Sequence, residues 1–395
     1  MHVLHNRRVL LLTEEYPPVI GGIQNYLSEL MAQLSPENTF VIAQDVKGVV
    51  EWDREQKYKI VRVNMRGFSI PRWRSAYRAL EQAVKEFQPE IIVCGKALFE
   101  GRAALRIWEK YKIPYVVMTY GMEINTWLKT EKTKRDLLNV CENSARVFVI
   151  NEEIKTTLEK SLDDVIKVRP LRGRTLMRDN IGNKFVKMYP GVDGFYSFED
   201  NPNKDYPQKS HKTIVSVCRL VHRKGIDVVI NAVNEIKKTI PDIKYIIMGE
   251  GPEKTALEEL VRNLSLQNNV EFLGKVTREK MREVFQSADL FVLTPRNEQG
   301  NMEGFGIVYL EAAIAGLCAV GSKSGGVLEA VLDEKTGLLA MENNTNDTAK
   351  KIIRILQDEN LRKQLASQAQ KRAVEEFSWS KRATLFRGVV ESVVK

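Results

Sequence analysis

Nothing in this sequence supplies a disulfide framework, a zinc site or a membrane span. The four cysteines, Cys94, Cys141, Cys218 and Cys318, stand singly and far apart, with no Cys-x-x-Cys pair. That excludes a stapled secreted scaffold and leads us to expect reduced thiols in a cytosolic setting. No run reaches the ~20 apolar residues that a spanning helix needs. Met1, His2, Asn6 and Arg7 precede a strand-like run without the apolar stretch and small-residue cleavage site of a signal peptide. Internal repeats and low-complexity tracts are also missing, and with them solenoid and linker-like architectures.

What is present is ordinary globular material. Apolar residues make up 43% and charged residues 28% of the 395, proportions that exclude a disordered or membrane-embedded chain. That length exceeds what one hydrophobic core organises, so two domains of roughly 200 residues are expected. Acids are outnumbered, giving a net charge of +9, a balance that suits phosphorylated substrates, a membrane surface or nucleic acid. The excess is clustered. Between Lys57 and Arg78 lie Lys59, Arg62, Arg66, Arg72 and Arg74 with no acid among them, interleaved with Phe68 and Trp73. A second run holds Lys167, Arg169, Arg172, Arg174, Arg178, Lys184 and Lys187 against Asp179.

Short aliphatic runs of strand length alternate with helix-length amphipathic segments, the rhythm of a doubly wound α/β fold on a parallel sheet. In the first half these runs are 9–13, 39–43, 90–94, 115–119 and 146–150, nearly all apolar, as strands covered on both faces are. The stretch 201–211 carries Pro202 and Pro207 among polar residues and reads as an interdomain linker. The rhythm then restarts at 213–218, 243–248, 270–273, 290–293 and 318–321. We therefore expect two Rossmann-like doubly wound domains, 1–205 and 206–376, and a helical segment 377–395. Their strand ends should face each other across a cleft, since ligands of open α/β sheets bind beyond the carboxyl ends of the strands.

Motifs sit at these strand ends. Pro17-Pro18-Val19-Ile20-Gly21-Gly22 lies between the first strand and an amphipathic helix. Its glycines let backbone approach a ligand and the helix start offers N–H groups to an anion, although the same pair would serve a tight turn. It is not the Gly-x-Gly-x-x-Gly dinucleotide fingerprint. Arg219-Leu220-Val221-His222-Arg223-Lys224-Gly225 follows a strand and opens a helix. A bidentate guanidinium at Arg219 and a point charge at Lys224 suit a diphosphate, whereas cations at a helix start oppose its dipole. His222 reads as a bystander.

The segment Glu303-Gly304-Phe305-Gly306-Ile307-Val308-Tyr309-Leu310-Glu311 separates two carboxylates by seven residues. Glu303 then lies in a loop and Glu311 about two turns along a helix. Gly304 and Gly306 would bare the amides of Phe305, Gly306 and Ile307 toward a phosphate or sugar oxygen, and Glu311 would bind a ribose or sugar hydroxyl. Gly249-Glu250-Gly251-Pro252 and Gly274-Lys275-Val276 would wall a nucleotide pocket, and Ser324-Gly325-Gly326 precedes a further helix in the same manner.

Taken jointly, PPxxGG from Pro17, PGVD from Pro190 to Asp193, RLVxRKG from Arg219, GEGP from Gly249, the E-x7-E pair and SGGxxEAV from Ser324 to Val331 resemble the retaining glycosyltransferases of family 4, with the GT-B fold. Within them the chain resembles the branch of phosphatidylinositol mannoside mannosyltransferases, over nearly its whole length. The resemblance implies a hexosyl transfer from a nucleotide diphosphate sugar to a sugar or lipid-linked acceptor, and we expect no cofactor and no metal. GDP-mannose is the first donor it suggests, with UDP-glucose or UDP-N-acetylglucosamine on a soluble acceptor as the alternative. It implies that Arg219 and Lys224 hold the donor diphosphate and that Gly22 presents its amide to the distal phosphate, and Gly21 is expected beside it among the donor-binding residues. Glu303 would contact the donor sugar with the amides of Phe305 and Gly306 nearby, Glu311 would bind the ribose, and 377–395 would cross back to the first domain. The family usually carries His-Gly-x-Glu after the fifth strand, where this chain has Tyr120-Gly121-Met122-Glu123. Tyr120 can donate a hydrogen bond but is a poor base at neutral pH.

Glu303 as a nucleophile would follow the route of retaining glycosidases. The favoured expectation is a front-face route, in which the leaving phosphate takes the acceptor's proton while Arg219 and Lys224 stabilise its growing charge. No Asp-x-Asp pair calls for a metal. The basic region from Lys57 to Arg78, and Trp127 with Lys129, Lys132, Lys134 and Arg135, fall in the domain where the family binds its acceptor. They suit peripheral contact with an anionic membrane on its cytoplasmic face, at about 1 kcal/mol per well-placed cation, and solvated loop faces are the plain alternative. Rival readings are a nucleotide-sugar epimerase, a phosphorylase-like enzyme, for which no pyridoxal lysine stands out, and a non-catalytic nucleotide-binding protein, which leaves Glu303 and Glu311 without a purpose. Few aromatics flank the basic runs, so nucleic acid is not expected.

Overall fold

Unbroken aliphatic runs such as VLLLT and IIVC bury both faces of a strand at once, which a parallel sheet with helices on either side provides. The computed structural model describes residues 7–65, 73–168, 182–197 and 211–394. The chain divides into two units, Met1–Gly191 with Trp379–Lys395, and Val192–Ser378. Passage between them thus lies at Gly191, upstream of the anticipated 205. The anticipated linker falls, but for His211, outside the described residues, as do Arg66, Phe68 and Arg72 of the first basic run and Arg169, Arg172, Arg174 and Arg178 of the second.

Among the described residues, the first unit pairs seven strands in parallel: β1 (Val9–Thr13), β2 (Thr39–Gln44), β3 (Lys59–Val63), β4 (Ile91–Cys94), β5 (Tyr115–Thr119), β6 (Arg146–Val149) and β7 (Phe185–Lys187), in the order β3-β2-β1-β4-β5-β6-β7. The second pairs six: β8 (Thr213–Val217), β9 (Lys244–Met248), β10 (Val270–Gly274), β11 (Leu290–Val292), β12 (Ala319–Ser322) and β13 (Gly337–Ala340), in the order β10-β9-β8-β11-β12-β13. Both orders are doubly wound, as anticipated. Each reverses beside its first strand, between β1 and β4 and between β8 and β11. At such a switch the loops leaving the two strands splay apart and open a crevice at their carboxyl ends.

Successive side chains of a strand face opposite sides, so β1 feeds two cores. Leu10 and Leu12 pack with Leu80 and Ile107 of the helices Trp73–Phe87 and Phe99–Tyr111. Leu11 packs with Leu27 of the helix Gly22–Ala32 and with Phe386 of the terminal helix Trp379–Val393. The terminal helix is anchored by rings, with Trp379 5.8 Å from Tyr26 and Phe386 5.8 Å from Phe148. Gly191 lies against the indole of Trp379, where a Cβ would come within 2.3 Å.

All four cysteines are free. Burial pushes the thiols of Cys141, Cys218 and Cys318 up to about 12, so they stay protonated and pack as small apolar groups. Among the described residues, no helix is long and apolar enough to cross a membrane.

Candidate functional site

The β8–β11 switch of the second unit is built from three strand ends drawn together at glycines. After β8 the chain makes a short turn at His222–Lys224 and enters the helix Ile226–Ile236 through Gly225, at φ +69°. A Cβ on Gly225 would lie 2.0 Å from the carbonyl oxygen of Thr294 in the loop after β11, so this position needs both glycine's left-handed freedom and its lack of bulk. Thr294 Oγ1 donates to the carbonyl of Gly225 at 3.0 Å, and the amide of Arg296 donates to that of Arg223 at 2.8 Å. At the end of β9, Gly249 takes φ +137° with its Cβ direction 1.8 Å from the carbonyl oxygen of Cys218. The amide of Leu220 donates to the carbonyl of Glu250 at 2.9 Å.

Into this corner the loop after β11 delivers Glu303, which is 9% exposed. Its Oε2 accepts from Nζ of Lys224 and, at 3.2 Å, from a terminal guanidinium nitrogen of Arg223. Burial alone would push the carboxyl up, but the charges and hydrogen bonds of Lys224 and Arg223 outweigh it and hold Glu303 below the usual range. Its backbone is held from beneath, the amide of Gly326 donating to the carbonyl of Glu303 at 2.9 Å. A Cβ on Gly326 would come 2.0 Å from the carbonyl oxygen of Gly304, which explains the paired glycines of Ser324-Gly325-Gly326.

Gly306, at φ +83°, precedes the helix Ile307–Ile314. The ring of Phe305 is buried 5.5 Å from Phe377, which packs its side chain away from a ligand. Glu311 lies half-buried on the same helix. Burial raises it to about 7, against the lowering charge of Arg278 and with a further push from Asp193, and those two neighbours are themselves paired at 2.6 Å. Val276 is half-buried between β10 and the helix Arg278–Ser287.

Of the residues singled out for the diphosphate, Lys224 meets Glu303, whereas Arg219 is exposed and its side chain makes no hydrogen bond or ion pair among the described residues. The guanidinium on Glu303 belongs instead to Arg223, unassigned by the sequence reading although its place beside Lys224 in the same basic turn was the available signal. Buried Arg296, on the loop after β11, had no signal at all.

Gly21, Gly22 and Tyr120 lie in the first unit. The side chain of Gln24 folds back over Gly21, its Oε1 2.2 Å from where a Cβ would stand. Gln24 donates to Glu15, which also accepts from Nζ of Lys96 at 2.8 Å. Glu100 is fully buried and accepts the amide of Glu14 at 3.0 Å. Burial, then the charge of Glu14, pushes it to about 8, so it is protonated at neutral pH. Tyr120 is buried at the end of β5, its hydroxyl 3.4 Å from Sδ of Met118 and its ring edge-on to Tyr26 at 6.0 Å. The crevice of the first unit is therefore rich in carboxyl groups and that of the second in cations.

Residues 20–170 match the model of the family Glycosyltransferase Family 4, and residues 197–372 that of Glycosyl transferases group 1. Over 387 residues, 95% of each chain, the sequence is 26% identical to the GDP-mannose-dependent monoacylated alpha-(1-6)-phosphatidylinositol monomannoside mannosyltransferase of Corynebacterium glutamicum. It is 28% identical to the GDP-mannose-dependent alpha-(1-6)-phosphatidylinositol monomannoside mannosyltransferase of Mycolicibacterium smegmatis, over 83% of this chain and 84% of that one. Among solved structures, Anabaena HepE in complex with UDP shares the fold with a TM-score of 0.76 at 17% identity, covering 98% of this chain and 100% of that one.

Proposed function

The chain belongs to the family 4 glycosyltransferases of the GT-B fold and is a hexosyltransferase, and on that premise we propose that it moves mannose from GDP-mannose, with retention, to a lipid-linked or cell-envelope glycan acceptor. The observation that carries this reading is the buried carboxylate of Glu303 clamped by Lys224 and Arg223 at the β8–β11 switch. Together with exposed Arg219, the cations there leave two positive charges unbalanced, which matches a diphosphate. GDP-mannose is favoured by the relatives named above; a UDP-hexose on a soluble acceptor is the alternative.

In this reading Arg219, Arg223 and Lys224 hold the diphosphate and stabilise its charge as the glycosidic bond breaks. Glu303, kept ionised, accepts hydrogen bonds from the donor sugar and fixes its orientation, while Glu311 binds the ribose. The leaving phosphate oxygen takes the acceptor's proton on the face it departs from, and no protein-bound metal takes part. The first unit binds the acceptor. Its crevice, with Glu14, Glu15 and Glu100 around Lys96, suits neutral hydroxyls better than a second polyphosphate. The helix Trp73–Phe87 exposes Arg74 and Arg78 on the face opposite buried Ala76 and Leu80, which favours peripheral attachment to an anionic membrane on its cytoplasmic side.

A thermal-shift panel with GDP, UDP, ADP and their sugars tests the reading, because a ligand specific for the native state at a hundred times its Kd adds about 2.7 kcal/mol of stability. GDP and GDP-mannose should shift the midpoint selectively, and Lys224→Ala or Arg219→Ala should abolish the shift. Glu303→Gln should keep the GDP shift yet lose about 10²-fold or more in transfer. Silence toward every nucleotide would overturn the assignment. In the transfer assay, inhibition by a chelator reversed by magnesium would refute the metal-free route, and an inverted anomer by NMR would refute retention.

A further inference from the structure

We propose that Arg296 is the positioning residue of this donor site, locking the phosphate-binding turn after β8 to the loop that carries Glu303 so that Lys224, Arg223 and Glu303 are set before a donor arrives. The inference rests on the reading of the second unit as the nucleotide-sugar site.

Arg296 is 7% exposed, although it lies on a loop. A guanidinium out of water is retained at a cost unless its donors are answered. One terminal nitrogen pairs with Asp227 in the first turn of the helix Ile226–Ile236, and the other donates to Nε2 of His222 at 3.0 Å. With Nε2 accepting, the ring proton stands on Nδ1, which donates to Glu298. A polar chain from Asp227 through Arg296 and His222 to Glu298 therefore laces the two loops, beside the backbone bond from Arg296 to Arg223.

The loop beyond Arg296 is built to pass this anchoring on. Glu298 and Asn301 exchange backbone hydrogen bonds of 3.2 and 2.8 Å around Gln299 and Gly300, both at positive φ, 53° and 84°. That is a two-residue hairpin turn of the kind that needs left-handed residues at both central positions. Asn297 Oδ1 accepts the amide of Gly300 at 2.8 Å. Pinned at Arg296 and at Glu298, this hairpin leads directly into Met302 and Glu303.

Asp227 neutralises Arg296, so the guanidinium adds little charge for a ligand to feel. Its Nε is buried without a partner among the described residues, an incompleteness that a purely stabilising group would not be expected to show. Arg296 thus acts through Lys224 and Glu303 rather than by touching substrate.

The test uses the full chain with Arg296→Met, Arg296→Lys, Glu303→Gln and the double variant Arg296→Met/Glu303→Gln. Donor KM, kcat, GDP affinity and the ligand-free unfolding midpoint are measured for each. Arg296→Met should lower kcat by about 10²-fold with a smaller rise in donor KM. Arg296→Lys should recover part of the loss, because an ammonium keeps the pairing to Asp227 but cannot also reach His222 in a fork. In the Glu303→Gln background, Arg296→Met should cost little more, since residues acting as a unit are not additive. An unchanged kcat in Arg296→Met, or a loss fully additive with Glu303→Gln, overturns the inference. Where Arg296→Met does not fold, Arg296→Lys alone and combined with Glu303→Gln carries the same comparison. A wild-type chain that binds no nucleotide would refute the donor-site reading instead, whereas a wild type that binds and transfers alongside unaffected variants refutes the inference only.

Discussion

Glu303 and Glu311 share one short stretch of chain, yet their surroundings drive their protons in opposite directions. Lys224 and Arg223 hold Glu303 ionised, whereas burial raises Glu311 from 4.5 to about 7. Between those two values the folded chain keeps a proton on Glu311 that the unfolded chain has released. This group's contribution therefore favours the native state fully below about 4.5 and is lost as pH rises through about 7. Ribose hydroxyls need the carboxylate as acceptor, so nucleotide affinity should run the other way, strengthening about tenfold between pH 6 and pH 8 as ionisation proceeds. Calorimetric titration with GDP at the two pH values should show that rise in the wild type and a flat response in Glu311→Gln. Equal wild-type affinities would rule out the ribose role. That both glutamates mattered was legible from their bracketing of the glycine-rich segment. Their opposite titration was not, because the cations on Glu303 and the packing that desolvates Glu311 come from elsewhere in the chain.

At the scale of elements, most strands anticipated in sequence are buried on both sides, such as β1, β2, β4 and β5, whose aliphatic runs are unbroken, with the partly exposed edge strand β10 as the exception. The three that went unread, β3, β7 and β13, all lie at sheet edges. β3 is KIVRV and only half-buried, β7 has three residues, and β13 is GLLA, so none offers a run that periodicity can separate from a loop. Glycines divide by what surrounds them in a way no sequence pattern announces. Gly249→Ala would drive a Cβ into the carbonyl of Cys218 at a φ that L residues avoid, and should cost about 1–3 kcal/mol. Gly388 lies in the terminal helix with nothing within 4 Å of its would-be Cβ, and Gly388→Ala should stabilise by about 0.5–1 kcal/mol. Denaturant midpoints of the two variants, moving in opposite directions, would bear this out; a Gly249→Ala midpoint equal to wild type would contradict it.

For the whole molecule, the surplus of +9 is a statement about encounter partners rather than fold. If the helix Trp73–Phe87 meets anionic lipid, the protein should sediment with vesicles containing phosphatidylserine and be released by salt. Arg74→Glu with Arg78→Glu should weaken binding by about 1 kcal/mol per charge removed, and no wild-type sedimentation at low salt would sink the membrane reading. The sequence alone determined the two doubly wound sheets, because hydrophobic periodicity and turn glycines act over a few residues and are written in order along the chain. It also determined the glycosyltransferase family, through motifs at successive strand ends. The clamp of Lys224 and Arg223 on Glu303 and the buried lacing by Arg296 were decided only by tertiary structure. Those contacts join residues some 70 to 80 positions apart, and both the desolvation and the charge that set their chemistry arise only when β8 and β11 come to lie side by side.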